Sequence, residues 1–311
     1  MRSTVFLTNQ FIKPIISLLD PEWHVLCAWE KNCSRDLTKV SALATTVWDV
    51  IDDVFLLQFP NLKFISHLGI GTDNIDKNYL KKHQITLLSQ PHSGVHDTAE
   101  LALALMLTLS RKILTNDQYT RNNDWINNKP KYIGNHLSGK QLGLVGLGQI
   151  GLTIARFAEA LNMTISYTAR SKKECSYQFE SDIRTLASKS DFLIICCSAN
   201  EQSHHLVNKA VLECLGSKGY LINVARGSIV DEKALIEALD HQTIAGAGLD
   251  VFTNEPEVPL KLRGLSNVVL SPHMGSSTYE NLDNMFQIQA DQLNRFKNTV
   301  FLASDQITSS A

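Results

Sequence analysis

Gly143-Leu144-Val145-Gly146-Leu147-Gly148-Gln149-Ile150-Gly151 is the stretch that decides the fold. The apolar run Leu142–Val145 leads into Gly-x-Gly-x-x-Gly, and an apolar-patterned segment follows from Leu152 to Leu161. That order reads as a strand, a tight turn and a helix start. Gly146 permits the turn, Gly148 lets the main chain approach a pyrophosphate, and Gly151 lets helix and strand pack closely. The free N–H groups of the helix start, around Gln149 and Ile150, then face phosphate oxygens. The turn begins near residue 146 rather than near residue 10, so a separate segment occupies the first third of the chain.

On either side, apolar runs alternate with helical patterns. Before the turn, strands are expected at Val5–Thr8, Val25–Trp29, Ala42–Val47, Phe64–Leu68 and Ile85–Leu88. Helical patterns lie between them at Ile12–Leu19, Val50–Gln58 and Asn78–His83. After it, strands are expected at Leu142–Val145, Thr164–Thr168, Phe192–Cys197, Tyr220–Asn223, Ala245–Leu249 and Val268–Leu270. Such alternation predicts parallel sheets flanked by helices. One long helix, Asp97–Leu114, is apolar nearly all round, which predicts burial, in part against a second subunit. The polar segment Asn116–His136, carrying Trp125 and Tyr132, follows it. A final helix over Tyr279–Phe296 leads to a polar tail ending Ser-Ser-Ala.

Length and composition exclude several classes. A chain of 311 residues is enough for two domains, and 44% apolar with 19% charged residues describes a globular protein. A net charge of −2 offers no general basic field for nucleic acid or an anionic membrane. Met1–Leu7 lacks the apolar core of a signal peptide, and no run is long enough to span a membrane. The cysteines Cys27, Cys33, Cys175, Cys196, Cys197 and Cys214 show neither paired nor metal-ligand spacing. Cys196 and Cys197 read as buried strand residues. The expectation is a cytoplasmic protein with no metal, nucleic-acid or membrane partner.

Three segments after the glycine turn each place a chemically useful residue at a strand's carboxyl end, where open α/β sheets bind ligands. They are Ile222-Asn223-Val224-Ala225-Arg226-Gly227, Ala247-Gly248-Leu249-Asp250-Val251-Phe252-Thr253-Asn254-Glu255-Pro256 and Leu270-Ser271-Pro272-His273-Met274-Gly275-Ser276. Taken singly, His273 is a loop histidine, Arg226 a surface cation and Glu255 a solvated turn residue. Taken together they end successive strands of one sheet and converge on one crevice.

Those segments, with Gly69-Ile70-Gly71-Thr72-Asp73-Asn74-Ile75-Asp76 and Thr98-Ala99-Glu100, resemble the D-isomer-specific 2-hydroxyacid dehydrogenases over nearly the whole chain. The resemblance implies two doubly wound, Rossmann-like α/β domains. A cofactor domain (93–284) is inserted into a flavodoxin-like substrate domain built from 1–92 and 285–311. It implies that His273 is the acid/base, and that Glu255 hydrogen-bonds His273 and raises its pKa. It further implies that Arg226 binds the substrate carboxylate and polarises its carbonyl, while the N–H groups of Ile70 and Gly71 hold the carboxylate. Asp250 would bind the nicotinamide carboxamide, and Thr98 would contact the cofactor near it. A homodimer built on the cofactor domain is expected by the same analogy.

The cofactor is read from the end of the second strand, Thr164–Thr168, where NAD-specific sites carry an acid about 20 residues past the glycines. Here Ala169-Arg170-Ser171-Lys172-Lys173 follows, with no acid before Glu174. Arg170, Ser171, Lys172 and Lys173 are suited to a 2′-phosphate, so NADP(H) is expected ahead of NAD(H). The segment Tyr167-Thr168-Ala169-Arg170 also resembles the NADPH-using glyoxylate and hydroxypyruvate reductases, so those two acids are the expected substrates. His67, Leu68 and His92 are candidates for reading the C3 group. Two other readings stay open here: an NAD-dependent enzyme acting oxidatively, for instance on phosphoglycerate, and a nucleotide-sensing scaffold like the corepressors of this architecture.

Overall fold

The computed structural model describes residues 3–30, 36–126 and 132–308, from residue 300 on by backbone alone. Cys33 and the closing Ser-Ser-Ala lie outside the described residues. The chain divides into two compact units, one of residues 1–93 with 278–311, the other of residues 94–277. The second boundary falls just before a single helix, Tyr279–Thr308, so the expected break near 284 lies inside that helix.

The first unit holds a five-stranded parallel sheet of β1 (Thr4–Leu7), β2 (His24–Cys27), β3 (Val40–Thr46), β4 (Phe64–Leu68) and β5 (Thr86–Leu88), in the order β2-β1-β3-β4-β5. That is the flavodoxin-like order. Both faces are covered, so the strands are nearly continuous apolar runs. On one face Val5, Leu7, Ala42 and Phe64 pack with Met285, Ala290 and Leu293 of helix Tyr279–Thr308. On the other, Phe6, Leu43 and Ile65 meet Leu56, Phe59 and Leu80.

Two of the expected helices differ. Gln10–Leu18 winds as a 3-10 helix with Pro14 inside it. Proline has no N–H for an α-helical bond and its ring crowds the preceding turn. The expected helix Val50–Gln58 is α-helical only over Asp53–Leu56, because Ile51 bridges to Ile75 and Asp52 caps the turn through the Phe55 N–H.

The second unit holds seven parallel strands: β6 (Gln141–Val145), β7 (Thr164–Thr168), β8 (Gln178–Phe179), β9 (Phe192–Ile195), β10 (Tyr220–Asn223), β11 (Gly246–Leu249) and β12 (Val268–Leu270). Their order, β12-β11-β10-β9-β6-β7-β8, is the Rossmann order with one added strand. It reverses between β6 and β9. Gly143, Leu144 and Val145 pair with both neighbours there, so the glycine turn opens at the switch point. The two-residue β8 is too short to show in the sequence pattern.

The expected long helix is two. Val95–Arg111 ends at Lys112, which takes a left-handed φ of 52°, and Ile113–Arg121 follows. Ala102, Leu105, Met106 and Leu109 of the first helix are buried in the sheet's core, whereas Ile113 and Leu114 of the second are exposed. No helix among the described residues is long and apolar enough to cross a membrane.

Candidate active site

The glycine turn forms one wall of a crevice of about 840 Å³ at the carboxyl ends of β6, β7 and β9. Gly146 has a φ of 103°, and a Cβ on it would stand 2.8 Å from the backbone of Cys197, so only glycine fits. Gly148 lines the crevice, and a Cβ there would meet nothing within 4 Å, which leaves the main chain open to a ligand. Helix Gln149–Ala160 starts at Gly148 without a side-chain cap. Its first N–H groups are therefore suited to an anion. Gly151 is buried against the Gly146 carbonyl, and Ile150 packs on the core, so their side-chain positions serve packing.

The far wall differs from expectation. β9 ends at Ile195, and Cys196 and Cys197 stand past it, half-buried, lining the crevice rather than sitting inside a strand. Cys196 Sγ donates to the Gly146 carbonyl at 3.1 Å. Burial pushes the Cys196 thiol well up and the Cys197 thiol up to about 11, so both keep their protons. Cys197, Asn200 and Ser203 are crevice residues that the sequence reading missed. Their position after a strand adjoining the switch point was the available signal.

Ala169, Arg170, Ser171 and Lys173 line the same crevice, and Lys172 does not. The turn is held from below by Tyr167, fully buried in β7, whose hydroxyl accepts the Lys173 N–H at 2.7 Å. Of the two lysines expected to serve a 2′-phosphate, Lys173 borders the crevice, and its main-chain N–H ties the turn to Tyr167. Asp182 also lines it, but its carboxylate caps helix Ile183–Ser188 through the Thr185 N–H (3.1 Å) and pairs with Arg184 (3.5 Å).

The second cluster sits beyond β10, β11 and β12. Asn223 Nδ2 donates to the Arg226 carbonyl (2.9 Å), and its Oδ1 accepts the Ala225 N–H (3.0 Å), which folds the loop that carries Arg226. Gly227 lets this loop lie against the next one, because a Cβ there would fall on the Phe252 carbonyl. Glu255 Oε1 accepts the Phe252 N–H at 2.9 Å, and Oε2 meets His273 Nδ1 at 2.6 Å. Burial pushes the Glu255 carboxyl up, but the bonds from His273 and Phe252 and the charges of His273 and Arg226 outweigh it, leaving the group below its ordinary value. With Nδ1 engaged by Glu255, the ring's other nitrogen, Nε2, is left for chemistry.

Asp250 is buried behind this pair. Its Oδ1 accepts the Met274 N–H (2.7 Å) and its Oδ2 the Gly275 N–H (2.8 Å). Burial raises its pKa, an effect reduced by these bonds, by one from Ser271 and by the charge of His273. Thr98, at the start of helix Val95–Arg111, is buried beside Gly275. Thr98, Arg226, Asp250, Glu255 and His273 thus all lie in the second unit. Ile70 and Gly71 stand in the first unit, in the turn after β4, and their N–H groups donate to no acceptor among the described residues. Of the candidates for reading a substrate's side chain, Leu68 is buried in the first unit's core, His92 is exposed, and His67 is fully buried.

A Rossmann sheet with a phosphate-ready turn and a carboxylate–histidine pair defines a dinucleotide-dependent oxidoreductase. Residues 103–275 match the family model described as D-isomer specific 2-hydroxyacid dehydrogenase, NAD binding domain. A glyoxylate/hydroxypyruvate reductase of Arabidopsis thaliana is 40% identical over 247 residues, 79% of this chain and 76% of that protein. A hydroxyphenylpyruvate reductase of Plectranthus scutellarioides is 37% identical over 270 residues, covering 84% and 85%. The crystal structure of an NADPH-dependent glyoxylate/hydroxypyruvate reductase of Sinorhizobium meliloti, in complex with NADP and malonate, superimposes with a TM-score of 0.85 at 31% identity over 94% and 93% of the two chains. The chain belongs to the D-isomer-specific 2-hydroxyacid dehydrogenase family, and it is an oxidoreductase.

Proposed function

We propose that the protein reduces small 2-oxo acids, glyoxylate and hydroxypyruvate, to 2-hydroxy acids with NADPH. The observation that carries this reading is the end of β7: Ala169 stands where an acid would bind a ribose, and Arg170, Ser171 and Lys173 line the crevice beside it. An acid there would repel a 2′-phosphate, whereas a guanidinium, a hydroxyl and an ammonium attract it. The Arabidopsis and Sinorhizobium relatives carry the same substrates in their names, and the Sinorhizobium protein is NADPH-dependent.

The residues present fit a dinucleotide, because the glycine turn, the uncapped helix start and the basic turn border one crevice. When bound, the nicotinamide supplies the hydride. Thr98 and Asp250 are assigned to its carboxamide end. His273 Nε2 gives a proton to the substrate's carbonyl oxygen, and Glu255, bonded to Nδ1, orients the ring. Arg226 binds the carboxylate and polarises the carbonyl, and the Ile70 and Gly71 amides hold the carboxylate.

The test is kcat/KM for glyoxylate, hydroxypyruvate and 4-hydroxyphenylpyruvate, each with NADPH and NADH. The proposal expects the two small acids to lead with NADPH. A lead for the aromatic acid, or for NADH, would overturn it.

The second unit is also proposed as the dimer-forming one, within the cytoplasm. Ile113, Leu114, Trp125 and Ile126 are all exposed on or just past helix Ile113–Arg121, and exposed large apolar side chains are what an interface would cover. Light scattering should give twice the 34.7 kDa chain mass at micromolar concentration. A monomer would remove this proposal.

A further inference from the structure

The register of the first sheet places Thr45 of β3 directly beside His67 of β4. Both are fully buried. Thr45 Oγ1 lies 2.8 Å from His67 Nδ1, and His67 Nε2 lies 2.9 Å from the Gly71 carbonyl oxygen. A carbonyl only accepts, so Nε2 carries the hydrogen. In the neutral ring Nδ1 then accepts from the Thr45 hydroxyl. One tautomer satisfies both contacts, and the ring becomes a strut from the neighbouring strand to the turn after β4.

That turn is tied at two carbonyls. The Gln90 N–H donates to the Gly69 carbonyl at 3.0 Å, and His67 donates to the Gly71 carbonyl. In a planar trans peptide the C=O and the following N–H point opposite ways. The Gln90 bond therefore points the Ile70 N–H away from Gln90, and the His67 bond points the Thr72 N–H away from the His67 ring. The Gly71 N–H sits on the peptide between these two fixed planes. None of the three N–H groups donates to an acceptor among the described residues.

We propose that His67 is a positioning residue for substrate binding: by holding the Gly71 carbonyl it fixes the amides of the turn in the orientation that receives the substrate carboxylate. This rests on the reading of Ile70 and Gly71 as carboxylate donors. It reassigns His67, which neither reads the C3 group nor touches the substrate.

The experiment compares His67→Gln, His67→Asn and His67→Phe, assayed with glyoxylate and with its uncharged methyl ester. The Gln amide reaches the place of Nε2, whereas the Asn amide reaches only that of Nδ1. The Phe and Asn variants should raise KM for glyoxylate about tenfold, the equivalent of one hydrogen bond. KM for NADPH should hold, and the Gln variant should recover most of the loss. The preference for acid over ester should shrink in step. If the Phe variant does not fold, the Asn/Gln pair carries the test. An unmoved KM for glyoxylate, a Gln variant no better than Asn, or equal losses on acid and ester would overturn the proposal and leave His67 a packing residue. A wild type that uses the ester as well as the acid would instead sink the underlying reading of the turn.

Discussion

Asp250 holds the loop of His273 from behind. Its main-chain carbonyl accepts the His273 N–H at 2.8 Å, and its two carboxylate oxygens accept the next two N–H groups, those of Met274 and Gly275. His273 itself takes a left-handed φ of 55°, which a β-carbon disfavours. The three bonds hold it there, so the placement of the His273 ring depends on the Asp250 carboxylate behind it.

Asp250→Asn puts an NH₂ against one of those N–H groups, since an amide has one accepting oxygen. A buried donor left unpaired costs about 1–3 kcal/mol. Melting temperature should fall and kcat should drop by about tenfold or more at that cost. An Asn variant with wild-type kcat would show that the loop keeps its shape without Asp250.

His273→Ala should lower turnover by about 10²–10⁴-fold, the usual contribution of general acid catalysis. Cofactor affinity, read by quenching or enhancement of NADPH fluorescence, should change little. Near wild-type turnover would remove His273 from the role of acid.

Glu255 predicts a pH dependence with a definite sign. Its carboxyl lies below the ordinary value of 4.5 in the fold, so it contributes stability above that pH and loses it as pH falls through the folded value. The melting-temperature gap between wild type and Glu255→Gln should be widest near neutrality and close in acid. A gap that is constant with pH would count against the pairing.

The basic turn separates two adjacent lysines. Lys173 lines the crevice and Lys172 does not. Arg170→Ala and Lys173→Ala should each weaken NADPH by about 10–100-fold, a charge-assisted bond being worth about 1.5–3 kcal/mol, with NADH unaffected. Lys172→Ala should change neither cofactor. Equal losses for both cofactors would show the turn to be ordinary solvated surface.

The sequence by itself determined the two sheets and most of their strands, because buried parallel strands are short apolar runs and the glycine turn marks the switch point. It also determined Arg226, Glu255 and His273 as a set, since each follows a strand of one sheet. Only the tertiary structure showed that the Tyr167 hydroxyl, six residues back, ties the basic turn at the Lys173 N–H. It moved Cys196 and Cys197 from a strand to the crevice wall, because an apolar run does not show where ladder pairing stops. It gave His67 its two partners, one on the neighbouring strand and one past the turn. Local patterning reports which face a residue buries. A contact between residues distant in the chain depends on register and loop path, which the packed fold alone sets.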